Sequence, residues 1–261
     1  MSGRQGRHAP RAERLRVAVL VALSFLLMTV WAVAMLAAGA LTLFRARRFY
    51  SEVMAKALGR AVLGVWGIRV VVRQEEPFPR TQTVYISNHP STLDPFVLIA
   101  LGLPRTRFFM RGGLRKFVPL AVIGHVMGIF WTVEQQYPER RMRIFQRADR
   151  ILCRTGESVY LSPEGMRVTT SEIGHFNKGA FHLATSLGAP IVPMYLEIPP
   201  ETNPGKGYAT RAGTVTVHVL PAIPTAAWRV EGVERNAAAV RDQFVRVHAE
   251  RRGGAPLVEA T

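Results

Sequence analysis

The chain is poor in residues that staple a fold or hold a metal. Cys153 is its one cysteine in 261 residues, which excludes an internal disulfide framework and any cysteine-rich zinc site and fits a reducing compartment. Its seven histidines are scattered, with no H-E-x-x-H, no Walker-type glycine loop and no G-x-G-x-x-G. No internal repeat is visible, and no RNA-binding or helix-turn-helix signature stands out, so nucleic acid is not the expected partner. Acidic residues are scarce: 18 Asp and Glu against 34 Lys and Arg, a formal charge of +16. That excess favours anionic partners, such as acidic lipid surfaces or phosphorylated substrates.

Charge of either sign is also missing from one long stretch, "VAVLVALSFLLMTVWAVAMLAAGALTLF", from Val17 to Phe44. As a helix it reaches roughly 40 Å at about 1.5 Å per residue, more than a hydrocarbon core of about 30 Å. It is long enough to span with tilt, or to break near Gly39 and turn back within one leaflet. "AVAMLAAGA" has the look of a signal-peptide cleavage region, but the apolar run is far longer than an h-region of about 7–15 residues. Basic residues flank both ends, so the positive-inside rule gives no orientation.

Four segments are expected. Residues 1–16 read as a basic disordered arm. Residues 17–80 read as membrane-associated helices, the second of them amphipathic, "SEVMAKALGRAVLGVWGIRVVV" from Ser51 to Val72, with Lys56, Arg60 and Arg69 at headgroup level. Residues 81–252 read as an α/β domain and residues 253–261 as a flexible tail. In the domain, short β-rich runs ("TVYIS", "RFFM", "GIFWTV", "SVYLS", "PIVPMYLEI", "GTVTVHVL") alternate with helical stretches near 95–102, 114–127, 138–155 and 178–187. That pattern predicts a central mixed, partly parallel sheet flanked by helices. A closing helix carries Val233, Ala237, Val240, Phe244 and Val247 on one face.

The chemistry concentrates in "VYISNHPSTLDPF", residues 84–96. Asp94 followed by Pro95 is a good helix start, and on that reading His89 is a satisfied core histidine. The alternative is that the turn after the strand folds Asp94 back onto His89, since Pro90 and Pro95 argue against one continuous helix. Open α/β sheets place their sites at the carboxyl ends of strands. There a carboxylate fixes the imidazole tautomer and leaves the other ring nitrogen free to take a proton from a hydroxyl. No serine or cysteine nucleophile accompanies the pair, so the nucleophile belongs to the substrate. In "LSPEGMR", residues 161–167, proline and glycine sit in turn positions, Arg167 can fork onto a phosphate, and Gly165 lets backbone N–H groups approach a ligand.

"NHPSTLD" resembles the first motif of the glycerolipid acyltransferases, the 1-acylglycerol-3-phosphate acyltransferase group. "LSPEGMR" is similar to that family's F-P-E-G-T-R, "FNKGAF" (176–181) to its K-K-G-A-F-like run, and "APIVPM" (189–194) to its fourth motif. The four come in order, and the resemblance covers about residues 80 to 225. It implies His89 and Asp94 as the catalytic pair, and Glu164, Gly165, Arg167, Lys178 and Ser91 as the acceptor and phosphate site. Ser91 is equally suited to bonding the local backbone. The departures are Met166 for a hydroxyl residue, Asn177 for lysine, and Glu134 in "GIFWTVE" where relatives carry a phosphate-holding arginine. Arg111, Arg115, Arg140, Arg141 and Arg143 are candidates to replace that charge. The apolar segment "FVPLAVIGHVMGIFW" suits core packing or an acyl groove lined by Leu120, Val126, Met127 and Phe130.

The expectation is a membrane acyltransferase moving a fatty acyl group from acyl-CoA or acyl carrier protein to lysophosphatidic acid. Its place would be the inner membrane with the site on the cytoplasmic side, against an anionic lipid surface, with neither metal nor cofactor. A different lyso-lipid acceptor, or a non-catalytic lipid-binding protein with the same fold, are the alternatives.

Overall fold

In a computed structural model, residues 11–170 and 172–252 are described. β2 (Val84–Ser87), β5 (Ser158–Leu161) and β6 (Ile191–Glu197) are almost wholly buried runs of apolar residues, which suits central strands covered on both faces. Around them lie β1 (Ile68–Arg73), β3 (Thr106–Arg111), β4 (Phe130–Thr132) and β7 (Gly213–Val219), in one seven-stranded sheet of order β1-β7-β6-β2-β5-β3-β4. Every neighbouring pair is parallel except β6 and β7. The mixed, partly parallel sheet expected from the alternating pattern is therefore present, and it is mostly parallel.

Two helical layers enclose the sheet. One core contains residues of α1 (Arg11–Leu41), α2 (Lys56–Val65), α3 (Asp94–Leu101) and α4 (Val118–Met127), together with Tyr85, Tyr160, Val192 and Met194. The other contains α5 (Pro138–Thr155), α6 (Gly179–Leu187) and α7 (Val233–Arg252), with Val84, Ile86, Val159 and Leu161. The strand residues divide by parity because successive side chains point to opposite faces. Val233, Ala237, Val240 and Phe244 of α7 are buried and Val247 packs against the same core, as their spacing predicts.

α1 runs unbroken for 31 residues. It lies along the domain rather than projecting from it. Trp66 Nε1 donates to Ser24 Oγ at 2.9 Å, Trp31 Nε1 to the carbonyl of Met54 at 2.8 Å, and Arg16 Nη2 to the carbonyl of Thr210 at 2.6 Å. Past its end, Phe44 meets the His125 ring edge-on. Its buried stripe is Ser24, Ala32, Met35 and Gly39, while Leu15, Val19, Leu26, Val30 and Val33 are exposed.

Three sequence expectations change. Arg11 to Arg16 belong to α1; residues 1–10 of the expected arm and the expected tail, 253–261, lie outside the described residues. Ser51 to Val72 is not one helix. A π-helical turn (Phe49–Ala55) leads into α2, and "IRVVVR" leaves as β1, pairing with β7 from Ile68↔Gly213 to Arg73↔His218. That partner lies far along the chain, so local periodicity did not show it. The sheet thus begins before residue 81. The helix expected over 114–127 divides at Phe117 and Pro119 into a 3₁₀ turn (Gly112–Lys116) and α4.

α2 and α3 approach closely at Gly59. A Cβ there would stand 2.7 Å from Ile99 Cγ1 and 2.8 Å from both Ala100 N and Phe96 O. Alanine ordinarily favours a helix over glycine by about 1 kcal/mol. Here Gly59→Ala is expected to lower the thermal unfolding midpoint, because the added methyl meets backbone that cannot rotate away; an unchanged or raised midpoint would show that α2 moves freely from α3.

Candidate active site

The site grows from the carboxyl ends of β2 and β5, which lie side by side at the middle of the sheet. Their following helices leave on opposite faces, α3 into one core and α6 into the other. After β2, Asn88 side-chain Nδ2 donates to Leu196 O at 3.1 Å, and Leu196 N donates to Asn88 Oδ1 at 2.7 Å. The amide thus continues the ladder onto β6 in place of backbone and fixes where the chain turns.

That turn brings His89 and Asp94 together: His89 Nδ1 and Asp94 Oδ2 are 2.6 Å apart. The same carboxylate oxygen accepts from Ser91 N at 3.0 Å. Asp94 is the first residue of α3, yet the helix start has no side-chain cap hydrogen bond. The carboxylate instead faces back to the imidazole. Asp94 is 1% exposed and the His89 side chain 25%, so the acid is sealed in and the ring reaches the surface. Burial pushes the Asp94 carboxyl above its ordinary value, and the bond to His89 draws it back. With Nδ1–H donating to the carboxylate, Nε2 is the ring's acceptor nitrogen.

Glu164, after β5, makes the second link. Its Oε2 accepts from His89 N at 2.6 Å and its Oε1 from Gly174 N at 2.8 Å. Burial pushes this carboxyl up, offset by the two N–H bonds. Expected as a phosphate ligand, Glu164 is 4% exposed with both oxygens engaged, and a buried acid would in any case repel an anion. Its position makes it the clasp between the two strand-end loops. Gly165 has φ of +71°, and its N–H closes a turn onto Ser162 O at 3.2 Å. A Cβ at Gly165 would stand 3.0 Å from both Asn177 Nδ2 and Gln135 Nε2. Asn177 Nδ2 bonds the carbonyls of Pro163 and Glu164, at 2.9 and 3.1 Å. The residue that departs from the family's lysine therefore shapes the turn.

Arg167 reaches the turn that carries His89 and Asp94. Its Nη1 donates to Thr92 Oγ1 at 3.0 Å, and that hydroxyl lies 2.8 and 2.6 Å from the carbonyls of Gly205 and Gly207. Sequence reading missed Thr92 and Asn88 as organisers, although both stand inside the quoted motif. Ser91 is fully buried, and its Oγ accepts from Leu93 N at 3.2 Å, so the hydroxyl serves the local backbone.

Other expected residues stand apart. Lys178 is exposed and its Nζ pairs with Glu234 at 2.9 Å, which counters its charge. Glu134 pairs with Arg111 at 2.8 Å, so this arginine answers the reversed charge locally. The four acyl-groove residues do not share one surface. Val126 and Met127 are buried in the α1–α4 core and Leu120 is half-buried, whereas Phe130 belongs to the opposite core, against Phe109. His218 bonds Glu197 and His248 bonds Tyr195. Among the described residues no group of His, Cys, Asp or Glu is arranged to hold a metal ion.

Comparison with known proteins bears on this geometry. The Acyltransferase family matches residues 69–197, which takes in His89, Asp94, Glu164 and Arg167. A 1-acyl-sn-glycerol-3-phosphate acyltransferase of Limnanthes douglasii is 28% identical over 199 residues, 72% of this chain and 66% of that protein. The 1-acyl-sn-glycerol-3-phosphate acyltransferase beta of Homo sapiens is 32% identical over 162 residues, 61% of this chain and 58% of that protein. The alignments thus span less than two thirds of these relatives' own lengths. The crystal structure of the 1-acyl-sn-glycerophosphate (LPA) acyltransferase from Thermotoga maritima superimposes with a TM-score of 0.78 over 95% of this chain and 98% of that one, at 18% identity, and shares the fold. Residues 69–197, which hold the His89–Asp94 turn and most of the sheet, belong to the acyltransferase family.

Proposed function

We propose that the chain is a membrane-associated O-acyltransferase that moves a fatty acyl group from acyl-CoA or acyl carrier protein to the free hydroxyl of lysophosphatidic acid, giving phosphatidic acid. The observation that carries this reading is the 2.6 Å contact between His89 Nδ1 and Asp94 Oδ2, with the acid buried and the ring at the surface. His89 Nε2 takes the proton of the acceptor hydroxyl as its oxygen attacks the thioester carbon. Asp94 holds the tautomer and steadies the imidazolium that forms. The tetrahedral intermediate collapses, the carbon–sulfur bond breaks, and His89 returns the proton to the departing thiolate. The acceptor's phosphate lies on Arg167, the guanidinium that the catalytic turn itself holds through Thr92. The relatives' names supply the acceptor.

The bilayer enters through α1, the one helix among the described residues that is long and apolar enough to cross it. Its inner side is bonded to the domain at Arg16, Ser24 and Trp31, and its outer side carries Leu15, Val19, Leu26, Val30 and Val33. A helix fastened along its length suits lying in one leaflet, with its exposed apolar side in lipid. The catalytic edge then meets a lipid acceptor at the membrane surface, on the cytoplasmic side of the inner membrane, where soluble thioester donors are found.

One observation favours a second reading. Glu134, at the second-motif arginine position, occupies Arg111 and leaves that side of the site less cationic. An acceptor with a different headgroup, a lysophosphatidylcholine for example, fits such a rim. A panel of lyso-acceptors assayed with labelled acyl-CoA, with mass spectrometry of the product, separates the two. Preference for lysophosphatidic acid supports the first reading, and no turnover of any acceptor would overturn both.

Replacing His89 by Ala is expected to cut turnover at least about a hundredfold, and Asp94→Asn to lower kcat by about 10²–10⁴ with little change in either KM; wild-type rates in either would refute the base mechanism. Arg167→Ala should raise the acceptor KM about ten- to hundredfold with the donor KM unmoved, so a rise confined to the donor would reassign the residue. Glu164→Gln should destabilise the fold by about 1–3 kcal/mol, measured by denaturant unfolding, because its amide NH₂ faces a backbone N–H that then lacks an acceptor.

A further inference from the structure

The edge of the sheet opposite His89, where β3 and β5 begin, carries a cavity of about 310 Å³. Arg45, Arg47, Arg48 and Arg105 line it, with Glu157 as the acid in its wall. Glu157 is already committed, because Arg107 holds it through Nε at 2.7 Å and Nη2 at 2.5 Å. Glu52, the other nearby acid, accepts from the backbone N–H of Arg105 at 2.7 Å. Arg105 itself donates through Nη2 to the carbonyl of Thr155 at 3.1 Å. Among the described residues the side chains of Arg45, Arg47 and Arg48 make no hydrogen bond or salt bridge, and Glu157 acts on Arg47 only through its charge.

Two of these guanidinium groups crowd one spot. A Cβ on Gly128 would collide with Arg47 Nη1 and would stand 2.9 Å from Arg107 Nη1. Both cations therefore converge on the same bare backbone. The Arg47 guanidinium is held below its usual value, first by burial and then by the charge of Arg107, with the charge of Glu157 opposing the shift. Like charges gathered around a hollow, with the local acids already engaged, are arranged for an anion. Leu41, Leu43, Phe44 and Phe49, next in sequence to these arginines, are exposed. Apolar side chains beside arginine match the depth of lipid headgroups.

We infer that this cavity is a second phosphate site, remote from the catalytic turn, which takes a phosphate oxyanion from an anionic lipid headgroup or from free phosphate. It stands on the arginine cluster alone and is independent of the acyl-transfer reading. Its role on a lipid surface is to hold the C-terminal end of α1 at headgroup level while the apolar side of the helix sits in the leaflet.

The test uses the full chain. Arg45→Gln/Arg48→Gln and, separately, Arg47→Gln are compared with Arg147→Gln/Arg150→Gln, which removes the same charge as the double variant from exposed positions on α5. One arm measures flotation with phosphatidylcholine vesicles with and without phosphatidylglycerol; the other titrates inorganic phosphate calorimetrically. The pocket variants are expected to weaken phosphatidylglycerol-dependent binding about tenfold or more, and the control pair much less. Acyl transfer in neutral detergent micelles should stay at the wild-type rate, which shows the fold intact. Loss of phosphate binding with vesicle binding retained would uphold the site with a soluble source. An equal effect of the control pair, or no effect of the pocket variants in either arm, would overturn it.

Discussion

The buried carboxylate of Asp94 holds one nitrogen of His89, and much of the surrounding structure keeps that contact in register. An aspartate sealed in the protein is costly unless its charge is answered. Here the answer is the imidazole and the backbone N–H of Ser91. The ring is held twice, because Glu164 also takes the backbone N–H of His89. Two buried acids thus divide the work. One fixes the side chain's tautomer, and the other fixes the main chain that carries it.

Those acids act at one point because β2 and β5 are parallel neighbours in the middle of the sheet. Each strand delivers its loop at the same edge, and each crossover helix leaves on a different face. The edge is left open to a substrate while the strands beneath are covered on both sides. Asn88, bonded at both ends of its amide to Leu196, closes the pattern on the β6 side. Arg167 and Thr92 close it on the other, so the cation proposed to bind phosphate is aligned by the same turn that carries the proposed base.

The two edges of the sheet differ in what they gather. The carboxyl edge holds a balanced set of acids and bases, bonded to one another and to backbone. The amino edge, where β3 and β5 begin, holds arginines in excess of the acids that could pair with them. α1 links the two, with Arg16 bonded to the loop at Thr210 and Phe44 against His125 of α4. A single apolar helix thus touches both ends of the α/β domain, so the membrane position proposed for it would bear on both.

Local pattern was enough for most of the architecture. Uncharged length announced α1, buried β-branched runs announced β2, β5 and β6, and a 3.6-residue period announced α7, because each signal is carried by residues a few positions apart. The motif "NHPSTLD" likewise revealed the catalytic candidates, since His89 and Asp94 lie within one turn. What the chain alone left undetermined depends on partners distant in sequence. β1 is a strand because β7, some 145 residues on, supplies its hydrogen bonds. Glu164 is engaged as a clasp because the backbone of His89, 75 positions earlier, lies within 2.6 Å. Lys178 is spoken for by Glu234 and Arg111 by Glu134. The sequence by itself determined which groups were present and which turns would expose them; tertiary structure decided which charge each one faces, because a carboxylate or guanidinium is assigned its role by the nearest unsatisfied partner, and that partner is set by the sheet order.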